Sequence, residues 1–528
     1  MLLNNKASSD ILDADHLFDD RRVYAMHKYW GKKPGSDIRE ILLKYTNPGD
    51  LVFDPFAGYG GVAIESVLTG RNVISNDLNP AANFINRNVL SEDVDFSRFD
   101  LMLQRISQQI HPYIKKYYTY IKNGEVKEII SILRDNNDVP LSIKVKPSSG
   151  KAQVISLNEQ EKNDLIEAEQ AMVIKDWFPD DHLFENPRIS AKKNMRIKDL
   201  FPKRSLFFHA KLHALILNLP DSTEKDLLLF AFTANLANAS RLVPPIKSRG
   251  QLSSGAWMTG FYTGKTYIEN NVWHYFLNRV KRIKDGKKQF LQLIPDKDNR
   301  GRYKITNLNS KNLINFPSRS VDFIFTDFPY GDTVPYFEQS IIWNSWLKMP
   351  VDYDDEIVIS NAISREHDCE RFKNDIFAAC KEIYRVLKTD HFFAFTFNSL
   401  SGFEWEAIVN AVISCGFQLK SLDVIVQKTF SPRQLNRKKV IQGDMLFVLV
   451  KRDVVPNVKA LSKTETQNFV RKIITEALSV SSLSTNRIIQ IVIQTIFKAE
   501  VTVDELSFDK LLSEIADYDS EVNEWRLV

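Results

Sequence analysis

The chain has 528 residues, 44% of them hydrophobic and 26% charged, with a formal net charge of +4. That length exceeds one ordinary core, so two or three domains are expected, and the composition is that of a globular protein. No run comes near the roughly 18–20 apolar residues that cross a bilayer, and Met1–Asp20 is too acidic for a secretory signal, which sets membrane and exported classes aside and leaves a cytoplasmic place as the expectation. Cys369, Cys380 and Cys415 stand singly, which argues against a disulfide framework and against a zinc ribbon. Charge is uneven: Val503–Val528 carries eight acidic residues against two basic. The rest of the chain is correspondingly more positive, which suits a nucleic-acid partner.

In chain order, Arg21–Pro34 (RRVYAMHKYWGKKP) mixes basic and aromatic side chains ahead of a helical stretch, Asp37–Tyr45. Such a cluster can hold a carboxylate. Leu51–Asp54 reads as a short strand running into Asp54-Pro-Phe-Ala-Gly-Tyr-Gly-Gly61 and then a helix, Val62–Leu68, closed by Gly70. Strand, glycine loop and helix form the first half of a nucleotide-binding unit, because glycine lets the backbone turn tightly and approach a ligand. A second strand, Asn72–Asn76, ends in Asp77, about twenty residues beyond the loop, where an acidic side chain accepts hydrogen bonds from a ribose. Asn79 and Pro80 cap the helix that follows.

From about Ser91 to about Asp298 the chain is far longer than a connection and must fold as a domain. Phe96–Lys122 reads as helix, and Val139–Leu157 as a small hairpin around Ser148-Ser149-Gly150. Phe208, Leu212, Leu215 and Leu219 share a helical face, and Asp226–Arg241 continues helically. His209 and His213 lie one turn apart with no third ligand on their face, which favours core over metal. In Arg241–Arg282, Lys247, Arg249, Lys265, Arg279, Lys281 and Arg282 alternate with Trp257, Phe261, Tyr262, Tyr267 and Trp273. Basic residues suit phosphates and rings suit unpaired bases, so DNA contact is expected there.

Lys304–Thr306 is the third strand, with Asn307 and Asn309 at its end. Then comes VDFIFTDFPYGDTVP, Val321–Pro335, an apolar strand broken by a polar loop, with Asp327 at the carboxyl edge where open α/β sheets bind ligands. Helices follow around Ile342–Met349, Phe372–Leu387 and Glu404–Cys415, and strands at Phe392–Phe397, Leu422–Gln427 and Met445–Lys451. Lys428–Asp444 carries Arg433, Arg437, Lys438 and Lys439 on a long loop, a candidate phosphate clamp. From Pro456 the chain reads as helical.

Asp327-Phe-Pro-Tyr330 resembles the Asp-Pro-Pro-Tyr signature of methyltransferases that modify exocyclic base amines. With the loop at Asp54–Gly60 and the acid at Asp77 in the expected order, the chain resembles class I, S-adenosylmethionine-dependent DNA amino-methyltransferases. His27–Pro34 (HKYWGKKP) and Tyr330–Leu347 (YGDTVPYFEQSIIWNSWL) are similar to prokaryotic adenine-specific DNA methylases with a long insertion before the catalytic tetrad. Two departures stand out: Phe328 replaces the first proline, and the zinc ribbon that many such relatives carry in the insertion is missing.

The resemblance implies an α/β, class I (Rossmann-like) methyltransferase sheet with a large, mainly helical insertion and a C-terminal helical segment. The expected parts are 1–95 and 300–455 for the catalytic domain, 96–299 for target recognition and 456–528 for the helical end. It implies S-adenosylmethionine as cofactor, held by Lys28, Tyr29, Trp30, Asp54, Phe56, Ala57, Gly58, Gly60, Asp77 and Asn309, and no metal. Asp327 and the Phe328 carbonyl are to accept the two amine hydrogens, Pro329 to fix the backbone and Tyr330 to stack on the base. The substrate is then double-stranded DNA with a flipped base, adenine N6 ahead of cytosine N4, and a restriction or defence system the expected partner. C5 methylation is disfavoured, since no cysteine follows a proline. Two other readings stay open: an RNA base amino-methyltransferase, because Asp-x-Pro-Tyr-Gly also resembles tRNA guanine-amino methyltransferases, and a non-catalytic subunit silenced by Phe328.

Overall fold

The computed structural model describes residues 21–528 apart from 123, 147–150, 247, 249–251, 400–401, 426–442, 454–456 and 507. Two strands, β1 (Leu51–Asp54) and β2 (Asn72–Asn76), are followed by five that belong to a separate sheet, β3 (Thr119–Lys122), β4 (Glu125–Asp135), β5 (Pro140–Lys146), β6 (Gln153–Ser156) and β7 (Thr266–Asn270). Then come β8 (Tyr303–Thr306), β9 (Val321–Asp327), β10 (Leu387–Phe397), β11 (Phe417–Ile425) and β12 (Asp444–Lys451). The main sheet has seven strands in the order β11-β12-β10-β9-β1-β2-β8. All its pairings are parallel except those of β12, which runs against both β10 and β11. A parallel sheet whose order reverses beside the first strand, with one antiparallel strand near its far edge, is the class I methyltransferase arrangement the resemblance implied.

The strands are apolar on both sides because both faces are covered. Phe323 and Phe325 of β9 join one hydrophobic cluster while Val321 and Ile324 join the other. In β12, Leu446 and Val448 point to the first cluster and Met445, Phe447 and Leu449 to the second. Covering the first face are α1 (Gly35–Tyr45), α2 (Gly61–Leu68), α3 (Pro80–Leu90) and the insertion helices α4 (Phe96–Tyr117), α6 (Lys203–Leu217), α7 (Thr223–Leu236) and α8 (Val272–Leu293), with α5 (Glu159–Gln170) at their margin. The same cluster takes in Ile341 and Trp346 of α9 (Tyr336–Trp346). The second face is covered by α10 (Cys369–Val386), α11 (Gly402–Ser414) and the C-terminal α12 (Lys463–Val480), α13 (Thr485–Ala499) and α14 (Phe508–Ile515).

Three expectations need correction. The helix read over Phe96–Lys122 ends at Tyr117, and Thr119–Lys122 is strand β3. The insertion, read as mainly helical, contains an antiparallel sheet in which β4 pairs with β3, β5 and β7; the expected hairpin is its β5–β6 pair. Four of its strands, β3 to β6, follow one another directly, but β4 is buried over Ile129–Ile132 without alternation and β7 returns only after α5, α6 and α7. The C-terminal segment, read as helical, also forms two small two-stranded sheets, one pairing Lys459–Ala460 with Val501–Thr502 and one pairing Ala516–Asp519 with Glu524–Leu527.

Candidate active site

Asp54 ends β1 and is buried, with its Oδ1 accepting from Thr326 Oγ1 of neighbouring β9 at 2.7 Å and from the Phe56 amide at 3.1 Å. Burial pushes its carboxyl up to about 8. The loop then turns into α2 through Gly58 at φ +50° and Gly60 at φ +89°, and Gly60 is the helix's N-cap. A side chain at Gly60 would place its Cβ 2.1 Å from Asn86 Oδ1, the residue whose amide holds the Gly58 carbonyl at 2.8 Å. Asp77 receives the Gly58 amide on Oδ2 and the Asn79 amide on Oδ1, both at 2.8 Å. Each oxygen keeps a lone pair for a hydroxyl donor. Burial raises Asp77 to about 6.

Asp54, Gly58 and Asp77 line a solvent-open crevice with roughly 1000 Å³ of empty space, together with Tyr29, Trp30, Phe56, Ala57, Asn309, Asp327 and Pro329. Lys32 also lines it, over the Tyr59 ring at 3.6 Å, with its amine donating to the Tyr24 and His27 carbonyls. Burial lowers that amine to about 7. Carboxylates, apolar rings, a glycine turn and an amine in one crevice suit a zwitterionic nucleoside the size of S-adenosylmethionine.

On the next strand, Asp327 Oδ1 accepts from the Tyr330 hydroxyl at 2.9 Å and from Thr396 Oγ1 of β10 at 2.7 Å. Lys33 Nζ stands 3.1 Å from the same oxygen, 2.6 Å from the Tyr330 hydroxyl and 2.8 Å from Asp444 Oδ2. Burial raises the Asp327 carboxyl, and the Lys33 charge opposes it. Burial also works against the Lys33 charge, but Asp327 and Asp444 outweigh it and leave that amine raised. The Tyr330 ring is stacked on Phe397 with centroids 5.8 Å apart. The Phe328 ring, by contrast, is fully buried against Phe56, Phe393 and Phe395 and does not line the crevice.

Comparison with known proteins adds a likeness. A family model described as DNA methylase matches residues 4–85, the stretch that holds the aromatic cluster, the glycine loop and Asp77, so that part of the chain is similar to that family. The type II methyltransferase M.MjaII of Methanocaldococcus jannaschii is 25% identical over 162 residues, 29% of this chain and 29% of its own length. The tRNA (guanine(37)-N(1))-methyltransferase 2 of Arabidopsis thaliana is 26% identical over 103 residues, 19% of this chain and 16% of its own. The chain thus spans less than a third of the length of these relatives. Among solved structures, the rRNA methyltransferase aviRa of Streptomyces viridochromogenes aligns over 82% of this chain and 93% of its own, at 8% identity and a TM-score of 0.27. The topology of the sheet, not that score, identifies the fold.

Not all the expected methylase contacts gather in the crevice. Lys28 leans away, its amine 4.2 Å from the ring of Trp257 in the insertion, and Gly60 shapes the turn without lining the space. Asn309 lines it while its Oδ1 accepts the Lys311 amide at 2.9 Å. Of the rings expected to meet bases, Trp257, Phe261, Tyr267 and Trp273 are buried, and Tyr262 is exposed. Tyr267 lies on β7 and Trp273 on α8, while Trp257 and Phe261 are buried in the segment before them, so those four are corrected to core. Lys247 and Arg249, and Lys428, Arg433, Arg437, Lys438 and Lys439 of the Lys428–Asp444 loop, lie outside the described residues. His209 and His213 are buried among aromatic rings, and burial lowers them to about 3 and about 4.

The crevice also contains residues that the sequence did not single out. Tyr336, Asp355 and Glu356 line it, and Thr326, Thr396, Lys33 and Asp444 fix its two strand-end carboxylates. Gly31, Lys33 and Tyr336 lie within the two longest stretches of resemblance, which is the signal that pointed at them. The threonines had none, since only strand register sets them beside a carboxylate.

Proposed function

We propose that the chain transfers a methyl group from S-adenosylmethionine to an exocyclic amine of a base in DNA, adenine N6 being the preferred acceptor. The observation that carries this reading is Asp327: its carboxylate lines the same crevice as Asp54, Gly58 and Asp77, beside the Tyr330 ring. The cofactor supplies an electrophilic methyl on a sulfonium. An exocyclic amine is a poor nucleophile because its lone pair is delocalised into the ring. Acceptors that hold its hydrogens localise that pair, and an ionised carboxylate is the strongest acceptor a protein offers. With the cofactor bound, the new N–C bond would form as the S–C bond breaks, S-adenosylhomocysteine would leave, and the amine would give up one proton to the Asp327 carboxylate that holds it and from there to water. Asp54, Asp77 and the glycine loop hold the cofactor, and Tyr330 offers a ring to the base. Because Phe328 turns into the core, it supplies a backbone carbonyl at that position without filling the crevice, which weighs against a silenced subunit.

The test is methylation-sensitive long-read sequencing of DNA from a methylation-free host expressing the protein or its Asp327→Ala variant. A modified motif is expected with the native chain only. Loss of a charge-assisted hydrogen bond of about 1.5–3 kcal/mol predicts a fall of at least about tenfold in rate, with cofactor affinity kept. Full activity of the variant removes Asp327 from the chemistry. RNA is the second reading, prompted by the similarity to the tRNA methyltransferase, and transfer to total RNA but not to DNA in the same assay decides for it. A restriction or defence partner belongs to the DNA reading, and copurification from a host that carries the neighbouring system tests it.

A further inference from the structure

Asp327 uses its two oxygens differently. Oδ1 accepts from Tyr330 and Thr396 and pairs with Lys33, whereas among the described residues no hydrogen bond reaches Oδ2. Oδ2 faces Gly31. A Cβ built on Gly31 would sit 3.5 Å from Oδ2, 3.4 Å from the Tyr336 hydroxyl and 3.8 Å from Cε2 of the Tyr330 ring. The backbone there is left-handed, at φ +71°, so glycine is the residue this turn takes. A methyl-sized space bounded by a carboxylate oxygen, a hydroxyl and a ring edge therefore opens into the crevice that holds the cofactor loop.

Lys33 is itself held from two sides. Its amine bridges Asp327 of β9 and Asp444, the first residue of β12, and both side chains of the bridge are largely buried. One cation thus serves two carboxylates, and a carboxylate oxygen beside the acceptor suits an amine that becomes positive as it attacks a methyl sulfonium.

We propose that Lys33 and Gly31 are positioning residues for the methyl acceptor: Lys33, shared with Asp444, fixes Asp327 through Oδ1 so that Oδ2 takes an amine hydrogen, and Gly31 keeps open the space in which that amine sits. This rests on the reading of Asp327 given above. The titratable groups facing Asp327 among the described residues are Lys33 from the entry segment, Asp54 of β1, Tyr330, Tyr336 of α9 and Asp444 of β12. Of these, Lys33 favours the ionised carboxylate and Asp444 disfavours it. Only the ionised form accepts at Oδ2, since a protonated carboxyl turns one oxygen into a donor.

The two neighbours therefore predict opposite shifts. In Lys33→Met the acid limb of the single-turnover methylation profile moves to higher pH, with at least about a tenfold loss at neutral pH that recovers in alkali. In Asp444→Asn the limb moves to lower pH, and Lys33→Arg keeps it near the native position. Gly31→Ala binds S-adenosylmethionine normally but raises KM for DNA. A loss in Lys33→Met that is uniform across pH, limbs that move the same way in both variants, or a Gly31→Ala chain with native KM overturns the proposal while leaving the methylase reading intact. Infrared difference spectra of the folded proteins without DNA read the same carboxyl independently. The protonated-acid band that Asp327→Asn removes is expected to grow in Lys33→Met and shrink in Asp444→Asn. If the native chain methylates no nucleic acid, the function reading fails by itself, and an Asp327 band indifferent to both neighbours then overturns the role of Lys33 as well.

Discussion

Asp54 shows how a buried carboxylate works against the fold that holds it. Its folded value of about 8 lies above the ordinary 3.8, so the buried side chain must take up a proton. The stability it contributes is complete below the ordinary value and is lost as pH rises towards 8. Asp54→Asn keeps an acceptor for Thr326 and the Phe56 amide without that penalty. The ligand-free variant is expected to melt a few degrees higher than the native protein at pH 8 and no higher at pH 4, by calorimetry, while its S-adenosylmethionine affinity falls. Phe328 is the opposite case, a tetrad residue whose side chain belongs to the core. Phe328→Ala empties a space among Phe56, Phe393 and Phe395 and is expected to cost about 3–5 kcal/mol in urea unfolding. Asp327→Ala, at a site that opens to the crevice, is expected to cost far less.

At the scale of elements, α9 and the segment Tyr353–His367 are clasped by one buried cation. Arg365 Nη1 lies 2.8 Å from Glu338 of α9 and 2.8 Å from Glu356, which in turn accepts the Phe337 amide at 3.0 Å. Burial raises Glu356 to about 7 despite Arg365. Asn186 of the insertion donates to Glu338 Oε2 at 2.7 Å, so the clasp also joins the insertion to the crevice that Glu356 lines. Arg365→Met strands two buried carboxylates and is expected to destabilise the chain by about 3–5 kcal/mol in chemical denaturation. Replacing all three with Arg365→Met, Glu338→Gln and Glu356→Gln is expected to recover most of that loss. If the triple variant is as unstable as the single one, packing rather than charge explains the site.

For the whole molecule, the two hydrophobic clusters set what unfolds together. The first runs without a break from Val23 and α1 through the insertion helices to Val448, so the insertion and the main sheet share a core. Calorimetry is expected to find one transition for the two, not a separable insertion. The C-terminal helices cover the opposite face with Ile474, Ile488, Val492 and Ile496, and Asn410 of α11 bonds the Val503 backbone both ways, at 2.7 and 2.9 Å. Removing residues 457–528 bares the apolar side of α11, β11 and β12. The shortened chain is expected to aggregate on expression although every residue assigned to the crevice remains in it.

The sequence by itself determined the carboxyl ends of β1, β2 and β9, while it began β10 at Phe392 and β11 at Leu422, where the structure begins them at Leu387 and Phe417. A short apolar run stopped by Pro and Gly has a single physical reading in an α/β protein, so Asp54, Asp77 and Asp327 were legible as strand-edge carboxylates, and the glycine loop as a turn into a helix. Periodicity likewise found α10 and α11. It could not tell a ring that meets a base from one that fills a core, because both are apolar and both sit among lysines along the chain; Trp257 and Trp273 were decided by packing. The insertion sheet stayed hidden because its long central strand β4 is buried over Ile129–Ile132 without alternation and its partner β7 returns only after three helices. Only tertiary structure brought Lys33 and Asp444 to Asp327, over separations of hundreds of residues, and only strand register set Thr326 and Thr396 beside their carboxylates. The chemistry of single residues is written locally, whereas the protonation and orientation of a buried carboxylate depend on which distant charges and donors the fold places within a few ångströms of it.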